Sequence, residues 1–316
     1  MIKIFDVICV GAALVDMVAR VERYPEQDDE VFVSNLTLFS GGAAANTVYA
    51  CAKLGLKTAF IGKLGRDDVF GSKILNDFNE VKVETKFLKY SDEFNTGSAY
   101  VALSKEGERR IYAYSGAANY LSKADIIEEE VSQTNLLYLS SLKNMEPFIQ
   151  AAVIGRKLKI PIILNPGMLI IEQGLAKIES LLRKIDILII SQREFTVLNG
   201  FEQEKIDLER FKRDSHKLFS FGVKVLIITM GKKGALMLTH DNAQIIPPIE
   251  TDNVVDTTGA GDAFSAGFIY GFIQKSSFKF EDLINNVRIG NFIASKCIEK
   301  LGARNGIPER EEIESE

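Results

Sequence analysis

The chain has 316 residues, 46% hydrophobic and 26% charged, which is enough apolar material for one large core or two modest ones and too much for a disordered chain. Its 38 basic and 43 acidic residues leave a formal charge of −5, so the whole-molecule field repels nucleic acid and any polyanion must be gripped locally. Only two histidines, His216 and His240, and three scattered cysteines, Cys9, Cys51 and Cys297, are present; neither zinc-ligand spacing nor a histidine in a hydrolase-like setting results.

The N-terminal run reads as a first strand over 6–10 and lacks the basic region, long apolar stretch and small-residue cleavage site of a signal peptide. Segments 14–39 and 95–115 alternate as strands exposed on one face, the second with a turn near Lys105-Glu106-Gly107-Glu108, and read as a small antiparallel flap. Further strands are expected over 58–62, 136–140, 160–165, 186–191, 224–229 and 235–239. Most are apolar at consecutive positions, as in strands buried on both faces of a parallel sheet. Helical patterning covers 44–54, 148–158, 208–221, 262–274 and 281–300, so strand and helix alternate in an α/β pattern. No repeat or Pro/Gly/Ser-rich linker interrupts the chain, and one domain over 1–316 with an inserted flap is expected. No apolar run approaches the ~18 residues of a membrane span. Cysteines in apolar settings such as Val7-Ile8-Cys9-Val10, without CxxC spacing, fit buried thiols in a reduced cytoplasm.

The most informative segment is Val254-Val255-Asp256-Thr257-Thr258-Gly259-Ala260-Gly261-Asp262-Ala263-Phe264-Ser265-Ala266-Gly267-Phe268. Small residues at 259–261 let the backbone approach a ligand, and a helix starting near Asp262 leaves their N–H groups unpaired, an anion site. A carboxylate beside an anion hole is repelled by what the hole binds. A base that orients a substrate hydroxyl while the amides hold a transferred group explains it. The plainer alternative is an N-capping Asp262 in a tight glycine turn. Phe264 stands where a dinucleotide fingerprint needs its third glycine, and neither a GxxxxGK[ST] loop nor an HRD sequence is present.

The whole segment resembles the C-terminal signature of the PfkB carbohydrate kinases, the ribokinase family, at Asp256, Thr257, Gly259, Ala260, Gly261, Asp262, Ala266, Gly267 and Phe268. The N-terminal signature is matched by Gly41-Gly42-Ala43-Ala44-Ala45-Asn46, with Gly55 and Gly65 following at the family spacing. The resemblance implies a ribokinase-like α/β fold: a mainly parallel central sheet flanked by helices, with a small antiparallel β lid. It implies Asp262 as catalytic base and the amides of Gly259, Ala260 and Gly261 as anion hole. Asp16, Gly41, Gly42 and Asn46 are then expected to hold the hydroxyls of the substrate. Thr229, Gly231 and Gly234 of the turn Thr229-Met230-Gly231-Lys232-Lys233-Gly234 would face ATP, with Asn291 near its adenine. Glu194 would serve Mg²⁺ through water, and Asp256 a monovalent cation such as K⁺. Pairing of two flaps into a homodimer is implied as well, with Tyr100, Ala102, Ile111 and Ala113 read as an apolar flap face.

Three positions depart from the family pattern. Ser191 replaces the asparagine of an Asn-x-x-Glu motif, Ala43 replaces the lysine of the ribokinase loop, and Ser141 stands where ribokinase has a glutamate. The last two weaken D-ribose as acceptor. The expected activity is transfer of the ATP γ-phosphoryl group to a primary hydroxyl of a sugar or sugar-like substrate. The all-small loop also resembles archaeal nucleoside kinases, which keeps an adenosine, cytidine or inosine kinase as the alternative. A non-catalytic nucleotide- or metabolite-binding regulator is the reading from another class, against which the intact Asp262 argues. A nicotinamide oxidoreductase is disfavoured by the missing GxGxxG.

Overall fold

The computed structural model describes residues 3–105, 108–200 and 208–314. The chain runs β1 (Phe5–Gly11), β2 (Leu14–Arg20), β3 (Asn35–Gly41), α1 (Ala43–Lys53), β4 (Thr58–Ile61), β5 (Lys63–Gly65), α2 (Val69–Glu80), β6 (Lys89–Ser91), β7 (Thr96–Leu103) and β8 (Arg109–Gly116). It continues α3 (Glu128–Val131), β9 (Thr134–Ser140), α4 (Glu146–Lys157), β10 (Ile162–Asn165), α5 (Met168–Ile171), α6 (Leu175–Leu182), β11 (Ile187–Ser191) and α7 (Gln192–Leu198). Then follow α8 (Leu208–Ser220), β12 (Val225–Thr229), β13 (Ala235–Leu238), β14 (Ala243–Ile246), α9 (Ala260–Lys275), α10 (Phe280–Cys297) and α11 (Arg310–Glu314).

The runs of consecutive apolar residues form the central sheet, in the order β14-β13-β12-β11-β10-β9-β1-β4. It is parallel from β12 through β4 and closed at one edge by antiparallel β13 and β14. Both faces are covered, and the alternation of the pleat divides each strand between two cores. In β1, Val7 and Cys9 pack with α1, α2, α9 and α10 on one face, while Ile8 and Val10 pack with α4, α6, α7 and α8 on the other. All three cysteines are buried free thiols. No helix of the described residues is long and apolar enough to cross a membrane.

The flap is a second sheet in the order β3-β2-β7-β8. Its two outer pairs are antiparallel, as expected, but β2 and β7 run parallel, because the chain passes through α1, β4 and α2 before returning to the flap. Glu106 and Gly107 of the expected turn lie outside the described residues; beside them, the Ser104 amide donates to the Glu108 carbonyl at 3.0 Å. The register corrects the face assigned to the flap. Tyr100 pairs with Tyr112 and Val101 with Ile111, so Ile111 and Ala113 lie on the face opposite to Tyr100 and Ala102. A slip of one residue in pairing exchanges the faces of a strand.

Three boundaries also move. The helix expected from Asp262 begins at Ala260, because Gly259 takes a left-handed conformation (φ 78°) and serves as N-cap. Asp262 is therefore the third residue of the helix and not its cap. The helix expected through 300 ends at Cys297, and the strand expected from 160 begins at Ile162, just past Pro161.

Candidate active site

The parallel strands β1, β9, β11 and β12 end at Gly11, Ser140, Ser191 and Thr229, on one edge of the sheet. The carboxyl edge of such a sheet is where an open α/β fold leaves a crevice between its loops. Most of the expected site residues follow from the loops and helix starts along it.

At its centre, α9 presents its N-terminus. The first helical bond runs from the Ala263 amide to the Gly259 carbonyl at 2.8 Å, and the Ala260 amide turns back to the Thr257 carbonyl at 3.3 Å. Among the described residues, the N–H groups of Gly259, Gly261 and Asp262 meet no protein acceptor, so three donors and the positive end of a sixteen-residue helix face the crevice. Of the three amides expected to form an anion hole, those of Gly259 and Gly261 are unpaired and that of Ala260 is engaged, while the Asp262 amide is a further free donor. A Cβ added at Gly261 meets open space, whereas at Gly259 it would lie 2.3 Å from Ala303 Cβ.

Asp262, in the first turn of this helix, is partly buried. Burial pushes its carboxyl up to about 7, against the pull of the Asn46 amide and of Arg304 and with a push from Glu194. Asn46, buried in the first turn of α1, donates from Nδ2 to Asp262 Oδ2 at 2.9 Å and accepts at Oδ1 from Arg304 Nε at 3.0 Å. Gly42 turns the chain into α1 with φ 93°, where a Cβ would lie 2.5 Å from the Ala12 carbonyl oxygen. The Gly41 backbone packs against the Asp16 carboxylate, which a Cβ would meet at 2.4 Å. Burial raises the Asp16 carboxyl and Arg304 opposes the rise. The structure therefore brings Asp16, Gly41, Gly42, Asn46 and Asp262 together.

Arg304 is the residue that sequence reasoning missed. It is 8% exposed, follows the turn Gly302-Ala303, and stacks its guanidinium over Tyr49 with 4.9 Å to the ring centroid. Its Nη1 lies 3.5 Å from Asp77 Oδ2. Burial lowers its pKa to about 10, opposed by Asp77, Tyr49, Asp262 and Asp16. Tyr138, fully buried on β9, is held well above the usual phenol range by burial and by Asp262. Ser141 just beyond it takes φ 56°, an uncommon conformation for serine, at the rim of the crevice.

Where the nucleotide is expected, Ser191 and Thr229 are neighbours at the ends of β11 and β12. Ser191 caps α7 in a capping box: Glu194 Oε2 accepts from the Ser191 amide at 2.7 Å and from its hydroxyl at 3.0 Å, while the Ser191 hydroxyl accepts from the Glu194 amide. Glu194 is thus a helix-capping acid that keeps Oε1 for another partner. Gly231 and Gly234 open the turn after β12 with positive φ. Asn291 is buried on α10 and donates to the Pro247 carbonyl at 2.7 Å, fixing the segment after β14. Asp256 ties two loops: Oδ1 accepts from the Thr258 amide and hydroxyl, Oδ2 from the Gly302 amide at 3.0 Å. His216 and His240 are exposed on α8 and the β13–β14 turn, away from these groups.

The chain is similar in sequence and in fold to known kinases. It is 30% identical over 311 residues to a ribokinase of Staphylococcus aureus, covering 97% of this chain and 98% of that protein. A sugar kinase of Archaeoglobus fulgidus is 31% identical over 259 residues, covering 81% of this chain and 97% of the relative. The structure of Arabidopsis thaliana ribokinase complexed with ribose and ATP superposes with a TM-score of 0.87 at 26% identity, covering 100% of this chain and 98% of that one. With the family model for pfkB family carbohydrate kinases matching residues 5–310, the chain belongs to that family and is a carbohydrate kinase of ribokinase-like fold.

Proposed function

We propose that the chain transfers the γ-phosphoryl group of ATP to a primary hydroxyl of a small sugar or sugar-like acceptor. The observation that carries this is the half-buried Asp262, with its raised pKa, in the first turn of α9 together with the unpaired amides of Gly259 and Gly261. The Asp262 oxygen not bonded to Asn46 accepts the acceptor proton as the hydroxyl oxygen bonds to the γ-phosphorus. The bond from that phosphorus to the bridging oxygen breaks, its electron pair leaving with ADP. The free amides hold the charge that develops on the transferred group. Asp16 and the Gly41–Gly42 turn bind acceptor hydroxyls, and the Thr229–Gly234 turn holds the nucleotide, with Asn291 shaping the wall behind it.

Mg²⁺ keeps several waters and binds chiefly through substrate phosphates. Glu194, whose Oε2 is engaged by Ser191, would hold one such water through Oε1, and the ion would supply neutralisation of the phosphate charge. Asp256, with both oxygens engaged by backbone amides, acts first as a brace of the anion loop; a monovalent cation there would bind to an already ordered carboxylate.

Coupled ADP release over ribose, fructose, 2-keto-3-deoxygluconate, adenosine, cytidine and inosine tests the reading, with a sugar or sugar acid expected to turn over. Activity on nucleosides alone would overturn the acceptor class. Asp262→Asn is expected to cut turnover by at least a hundredfold while leaving ATP affinity nearly unchanged; unaltered turnover would refute the base.

A further inference from the structure

The side chain of Asn46 has a fixed orientation, and its cause lies 258 residues away in sequence. A guanidinium has only donors, so the Asn46 atom facing Arg304 Nε at 3.0 Å must be the carbonyl oxygen. The amide nitrogen is then turned onto Asp262 Oδ2, at 2.9 Å. With Oδ2 pinned, the Asp262 carboxylate keeps its other oxygen without a protein hydrogen bond among the described residues. The backbone of Arg304 is itself fixed to the anion loop. Asp256 of that loop holds the Gly302 amide, and the Gly259 backbone abuts Ala303 so closely that no side chain fits between them.

Ion pairing alone does not account for this arginine. Its Nη2 is buried without a hydrogen-bond partner among the described residues, and its only ion pair is the 3.5 Å approach of Nη1 to Asp77. A buried cation with an unmade hydrogen bond weakens a fold. What the guanidinium does complete is the contact to Asn46, with Tyr49 and Phe78 supporting it from the side at 4.9 and 5.7 Å.

We propose that Arg304 is a positioning residue which, by way of Asn46, aims the carboxylate of Asp262 at the acceptor hydroxyl. This rests on the assignment of Asp262 as base. The arrangement follows the logic of any base oriented by a third group, with a donor-only cation in the outer place. Arg304 also contributes charge. The titratable groups facing Asp262 are Arg304 from the C-terminal turn, Glu194 from α7, Tyr138 from β9 and Cys297 from α10, with Asp16 of β2 facing Arg304. Arg304 is the one cation among them.

The test is the pH profile of kcat/KM. In Arg304→Gln, kcat should fall at least tenfold with the KM for ATP within threefold of the parent, and the acidic limb should move to higher pH because the cation that favours ionised Asp262 is gone. Arg304→Lys should return the limb to its original place while kcat stays reduced, since an ammonium cannot present the Nε–H that fixes Asn46. Leu181→Ala, in the core on the far side of the sheet, should lower the melting temperature without moving the limb. An Arg304→Gln profile that superimposes on the parent, with kcat within twofold, overturns the proposal. If that variant does not fold, parental kcat in Arg304→Lys overturns it. Asp262→Asn separates the two readings: if it keeps turnover, the base assignment itself fails.

Discussion

At the scale of single residues, the site is bought with stability at Asp262. Its carboxyl titrates near 7 in the folded chain and near 3.8 when unfolded. Between those values the folded state holds a proton that the unfolded state has lost, so stability falls as pH rises through the window. Asp262→Asn, which keeps an oxygen for the Asn46 amide and cannot ionise, should therefore melt at a higher temperature than the parent at pH 8. The advantage should vanish by pH 4; thermal scans at both values decide it. Catalysis runs the other way: kcat/KM of the parent should rise with pH through about 7 as the base loses its proton. The neighbouring glycines separate folding from chemistry. Gly261→Ala places its methyl in open space within a helix, where alanine is favoured by about 1 kcal/mol, so stability should hold or rise while turnover drops at least tenfold. Gly259→Ala forces a side chain into a left-handed turn and onto Ala303, and should lose about 1–3 kcal/mol in denaturant titration.

At the scale of elements, the sequence was most legible where burial is two-sided. The unbroken apolar runs of β1, β9, β11 and β12 state their place in a parallel sheet. Helix α9 was legible through its glycine motif, but its first residue was not: a left-handed Gly259 acting as N-cap leaves no mark that distinguishes it from a turn glycine. The flap segments announced alternation, yet which face was which depended on a register that only pairing decides. Arg304 was invisible for the same reason, since its contact with Asn46 spans most of the chain and no local pattern encodes it. Ser191 shows the converse. It departs from the family asparagine, yet its hydroxyl caps α7 and is bonded to Glu194. Serine and asparagine are comparable caps, so Ser191→Asn should stay within about 0.5 kcal/mol of the parent in urea titration, and Ser191→Ala should lose about 1 kcal/mol.

At the scale of the whole molecule, the flap presents two different faces. Asp16, Phe39, Ala99 and Ala113 share one face by register, and the contact of Phe39 with Gly302 places that face towards the turn that carries Arg304, where we propose the acceptor binds. The other carries Leu38, Met17, Tyr100 and Tyr112 in one row across all four strands, with Leu38 40% and Tyr112 70% exposed. This apolar row, exposed at its two ends and partly buried at Met17 and Tyr100, is the surface through which we propose that two copies pair. Tyr112→Asp should then yield monomers in sedimentation velocity at concentrations where the parent is dimeric. Ile111→Ser, one residue along and on the acceptor face, should leave the dimer intact and raise the KM for the acceptor instead. The pair of variants reads both faces in one experiment, because a dimer lost in Ile111→Ser and kept in Tyr112→Asp would reverse the assignment. A parent that sediments as a monomer at every concentration would remove the dimer altogether and leave the row as an outer surface of the lid.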